Sequence, residues 1–126
     1  MIRSLILGVP LIFSLHAYAQ DALIFGAGNV SCGKFIETND SKNRPEGDVL
    51  FSWIQGFLTA ENYEWMAVVG KNNEKADLFY RTDFSAVKEA VINYCRKNPL
   101  ENLSDASWAI TRELTDRSAS RKLPGK

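Results

Sequence analysis

Residues 91–103 read VINYCRKNPLENL, and the fold turns on how this stretch is parsed. Asn98 cannot easily remain helical ahead of Pro99. Arg96 and Lys97 precede it, where cations suit the negative end of a helix dipole. Asn is also a good N-cap, proline is favoured at the first helical position, and Glu101 falls at the third. The stretch therefore predicts one helix ending and another beginning at Asn98. Cys95 lies in the last turn of the first of them.

Working upstream, Asp83 is the expected N-cap of FSAVKEAVINYCRKN (84–98). Phe84, Val87, Val91, Tyr94 and Cys95 recur at helical spacing and share a face, with Lys88 and Glu89 turned away. Downstream, a helix over roughly 99–116 carries Leu103, Ala106, Ile110 and Leu114 inward, and residues 118–126 read as a disordered basic tail.

The strongest apolar segment is DVLFSWIQGFLTAENYEWMAVVG (48–70). Asp48 reads as its N-cap, and Leu50, Trp53, Ile54, Phe57 and Leu58 form a broad stripe. Phe51 falls off that stripe, so the helix is apolar on more than one side. Gly56 is unfavourable inside a helix and suggests close contact with another one. Either this helix runs to Gly70 or it breaks near Asn62. Before it, Ser31 caps a short helix in SCGKFIETND (31–40), with Cys32, Phe35 and Ile36 on one face. Polar NDSKNRPEGD (39–48) reads as a loop, and residues 20–30 as a flexible lead-in.

The first residues, MIRSLILGVPLIFSLHAYAQ, are a different kind of segment. Arg3, the apolar run Leu5–Leu15 and the closing AYA match the three parts of a secretory signal peptide over 1–19, cleaved after Ala19. The run is too short for a membrane span and is interrupted by Gly8 and Pro10. Cleavage removes His16, the one histidine. The mature chain then has no imidazole for base catalysis or zinc binding. A periplasmic location is expected, with no membrane attachment after cleavage.

Export also decides the cysteines. Cys32 and Cys95 are the whole inventory, and an even pair in an oxidising compartment reads as a disulfide. The expected fold class is all-α: one domain over 31–117, about four helices, stapled once. The formal net charge of zero argues against nucleic acid. No motif supports catalysis, a metal or a cofactor. Glu61 and Glu64 can share a helix face, but nothing completes a constellation around them.

Cys32 with Phe35 and Ile36, a tryptophan in the next apolar helix, and Tyr94, Cys95, Lys97, Asn98 and Pro99 together resemble the HdeA/HdeB family of periplasmic acid-stress chaperones. The resemblance is closest to HdeB, and extra material lies around residues 59–82. It implies a disulfide-linked helical homodimer that loosens at low pH and binds unfolded periplasmic proteins on apolar surface. Phe51, Trp53, Ile54 and Phe57 are the expected client-binding residues. A looser similarity is to periplasmic immunity proteins that inhibit type VI secreted cell-wall amidases. That role would use one specific partner and a protruding loop at residues 70–81.

Overall fold

The computed structural model describes residues 24–41, 44–69 and 76–121. The expected signal peptide, the start of the lead-in (20–23), the first half of the 70–81 loop and the end of the basic tail (122–126) lie outside the described residues. Four helices carry the chain: α1 (Cys32–Asp40), α2 (Arg44–Val69), α3 (Phe84–Lys97) and α4 (Leu103–Ser120). Among the described residues there is no strand, only an isolated antiparallel bridge between Ser31 and Asn102. The all-α class is as the sequence predicts.

Helix α1 packs on α2 and α3, and α4 closes against the same two. The centre is filled by Phe35, Ile54, Leu58, Leu78, Val91 and Leu103, all fully buried. Cys32 and Cys95 are bonded within this core and joined to its apolar cluster. Ser31 caps α1 by accepting from the Lys34 N–H, and Asp83 caps α3 by accepting from the Ala86 N–H.

Several boundaries differ from the sequence expectation. Helix α2 begins at Arg44, so Asp48 lies inside it rather than capping it. Pro45 sits in the first turn, where a missing N–H costs nothing. The helix continues without a break to Val69. Gly56 is exposed, and a Cβ there would meet nothing within 4 Å, so it marks no helix contact.

The corner at Asn98 is also built differently. Asn98 is the C-cap of α3 only; its N–H bonds Tyr94 O at 3.0 Å. Helix α4 starts at Leu103, with Asn102 and Asp105 forming a reciprocal capping box. The reason is tertiary. Gly33 N–H donates to Pro99 O (2.9 Å), Cys32 N–H donates to Glu101 O (2.7 Å), and Leu103 N–H donates to Val30 O (2.9 Å). A helix starting at Pro99 would need those carbonyls for its own ladder. The start of α1 takes them instead.

Helix α4 runs past the expected end. Ser118 is buried, and its hydroxyl accepts from the Trp65 indole N–H (3.0 Å) and donates to Ala76 O (3.2 Å). On α3, Phe84 is exposed, and Ile92 takes the place in the core that periodicity assigned to it. Phe84 opens α3, and its ring meets that of Phe79 with centroids 5.6 Å apart.

Candidate functional site

The aromatic residues of α2 divide by their position around the helix. Ile54 is fully buried, and Phe51 is buried with the Lys88 ammonium 5.3 Å from its ring centroid. Trp53 and Phe57 lie on the adjoining edge, half-buried. Their rings stack at 5.6 Å, and Phe57 meets Trp108 of α4 edge-on at 5.2 Å. Trp53, Phe57 and Trp108 thus make a continuous aromatic run across α2 and α4, ending at a Trp108 that is 44% exposed.

One face of this run is covered by residues 24–30. Within the segment read as a lead-in, Gly26–Asn29 form a 3-10 turn against α2 and α4. The Trp53 indole N–H donates to Phe25 O at 3.1 Å. Gly28 lies buried beneath the Trp53 ring; a Cβ at this position would collide with that ring and with Ile24. The turn holds no ion pair among the described residues. Its own bond is Asn29 Nδ2 to Ile24 O (2.7 Å), while Phe25 extends its ring into solvent.

Carboxylates hold the surrounding joints. Arg96 of α3 pairs with Asp40 of α1 at 3.3 Å, both half-exposed. Asn62 of α2 donates to Asp77 at 3.0 Å, and its carbonyl oxygen accepts from Leu78 N–H. The Ala86 N–H and the Ser85 hydroxyl hold Asp83 below the usual aspartate range. Burial, and then the neighbouring Glu64, push Glu61 upward.

The described half of the 70–81 loop is folded inward. Ala76 and Leu78 are buried, Phe79 packs against the core, and Tyr80 lies between the Arg81 and Arg121 guanidinium groups, each 5.2 Å from its centroid. Its aromatic residues do not form a projecting tip. Glu61 and Glu64 do share one face of α2, bordering a groove that Trp65, Val68, Trp108, Thr111 and Thr115 also line. Among the described residues, no group of three or more metal-ligating side chains is assembled, and no helix is long and apolar enough to cross a membrane.

Sequence reasoning singled out Trp53 and Phe57 but missed Trp108 and Gly28. Trp108 falls off the inward stripe of α4, and an aromatic residue off the stripe was the available signal. Gly28 carries no side chain, so periodicity has nothing to read.

The profile of the HdeA/HdeB family matches residues 2–105, most of the chain. No curated protein and no solved structure matches it.

Proposed function

The chain belongs to the HdeA/HdeB family of periplasmic acid-stress chaperones, and from that premise we propose that it holds acid-unfolded periplasmic proteins without ATP. Residues 1–19 direct export and are removed. At neutral pH the mature protein rests as a homodimer. Acid loosens it, and the run Trp53–Phe57–Trp108, with Phe51 and Ile54 behind it, becomes the client-binding face.

The observation that carries this reading is the thin cover over a continuous aromatic run. A single 3-10 turn and one indole hydrogen bond separate Trp53 from solvent. Below about pH 4 the carboxylates protonate and the chain becomes strongly cationic. The Cys32–Cys95 bond is not a titrating link. Acid therefore loosens the elements around a covalently retained α1–α3 pair.

The test uses mature, oxidised protein and a mixed periplasmic extract. At pH 2–4, the range where carboxylates titrate, stoichiometric protein should keep extract proteins out of the pellet, with no such effect at pH 7. Equal pelleting with and without it in acid contradicts the reading.

A further inference from the structure

Three stretches of the chain have the form Asn-x-Ser: Asn29–Ser31, Asn39–Ser41 and Asn102–Ser104. In an exported protein this is the acceptor pattern for N-linked sugar: the asparagine amide takes the sugar, and the hydroxyl two residues on helps to hold it for transfer. Packing separates the three. Asn102 caps α4, Leu103 is fully buried, and the buried Ser104 donates to Asn102 Oδ1 at 2.6 Å. Presenting that stretch would open the core. The Asn29 side chain donates to Ile24 O (2.7 Å), Val30 O accepts from Leu103 N–H, and Ser31 caps α1 and bridges Asn102. Freeing it would break the joint between α1 and α4.

Asn39–Ser41 is built differently. It is the end of α1 and its C-cap, and Ser41 is already extended (φ −75°, ψ 163°). Asp40 and Ser41 are exposed, Asn39 is half-exposed, and the Asn39 amide bonds its neighbour Asp40 at 3.2 Å. Unwinding 39–41 gives up Ser41 N–H to Glu37 O (3.0 Å), the Ser41 hydroxyl to Thr38 O (2.8 Å) and the half-exposed Arg96–Asp40 pair. It moves no buried side chain, because Thr38 is the last buried residue of α1. Terminal turns of this kind open readily. Exposed Glu37 stands two residues ahead of Asn39, a carboxylate that a basic side chain of a transferase can read; Ala27 and Leu100 hold the same place in the other two stretches. Asn39 also lines a cleft of about 350 Å³ with Asp48 and Lys88, which gives a first sugar room and polar partners.

We propose that Asn39 is an acceptor for an N-linked oligosaccharide, transferred from a polyprenyl diphosphate carrier by a membrane oligosaccharyltransferase facing the periplasm. The Asn39 amide nitrogen bonds the anomeric carbon of the first sugar. The bond from that carbon to the diphosphate oxygen breaks, the polyprenyl diphosphate leaves with the electron pair, and one amide proton passes to a carboxylate of the transferase. The site lies apart from the aromatic run and shares with the client-binding reading only the export of the chain.

The test expresses the full chain, signal peptide included, in a bacterium supplied with such a transferase and its lipid-linked oligosaccharide. A second exported protein with an established acceptor sequence is the control. The purified chain should gain the mass of one oligosaccharide, carried on the tryptic peptide 35–42. Asn39→Gln and Ser41→Ala should abolish the gain, and Ser41→Thr should keep it. Glu37→Gln should lower the modified fraction severalfold, while Asn29→Gln leaves it unchanged. Far-UV circular dichroism and the absence of free thiol show that each variant is folded. A chain that has lost residues 1–19 but keeps its unmodified mass, beside a glycosylated control, overturns the proposal, as does a gain that persists in Asn39→Gln. A chain that retains residues 1–19 overturns it together with the export reading.

Discussion

The Tyr94 hydroxyl donates to the Glu101 carboxylate, joining the last turn of α3 to the segment that leads into α4. That hydrogen bond, together with partial burial and the nearby carboxylates, pushes the tyrosine pKa up to about 12. The backbone carbonyl of Glu101 meanwhile accepts from Cys32, so one residue fastens α3 by its side chain and α1 by its main chain. The Asn-Pro corner is thus a three-way joint between α1, α3 and α4.

Tyr94→Phe should weaken that joint. A single hydrogen bond contributes about 0.5–1.5 kcal/mol, and partial exposure places this one at the lower end. The variant should show a lower urea midpoint at pH 7. Because the folded pKa lies above the ordinary value, the contribution is intact below pH 10 and lost as pH rises through about 12. The highest-pH step in the tyrosine absorbance titration should vanish in the variant. If it persists, the assignment to Tyr94 is wrong.

Gly28→Ala should displace the 3-10 turn from Trp53. The added Cβ would collide with the indole and with Ile24, and overpacking of this kind costs about 1–3 kcal/mol. Trp53 fluorescence should shift to the red at pH 7 while far-UV helicity is retained. If the covered aromatic run is the client face, this variant should suppress aggregation at a higher pH than the parent. Red-shifted emission without any change in the pH of activity would separate the cover from function.

Asp83→Asn tests an acid-sensitive cap. Both residues cap well, but only aspartate titrates. The folded pKa of Asp83 is depressed by its bonds to Ala86 N–H and Ser85, so its contribution is present above the ordinary aspartate value and lost as pH falls through the folded one. Helicity of α3 should therefore fall less steeply below about pH 4 in the variant. Identical acid profiles by circular dichroism would mean that α3 unfolds for another reason.

Cys95→Ala removes the covalent link. The cysteines are 63 positions apart, and closing a loop of that size restricts the unfolded chain by about 4 kcal/mol. The oxidised parent should have a denaturation midpoint well above that of the variant, and reduction should bring the two together. Without the staple, acid should melt the whole domain rather than loosen it, so aggregation suppression at low pH should also fall.

Much of this architecture is local and therefore readable in sequence. Ser31 and Asp83 are caps because each side chain reaches an N–H three residues ahead, and the inward stripe of α4 follows from helical period alone. The cysteine pairing follows from there being only two. Two asparagines, however, compete to begin α4, and sequence favours Asn98 because proline follows it. Tertiary structure chooses Asn102, since the backbone of α1 takes the carbonyls of Pro99 and Glu101. The meeting of Phe57 with Trp108 and the burial of Gly28 under Trp53 are likewise set by how separate helices pack. Such contacts have no period and no cap, so Trp53 and Phe57 were legible in the sequence while the Gly28 and Trp108 packed against them were not.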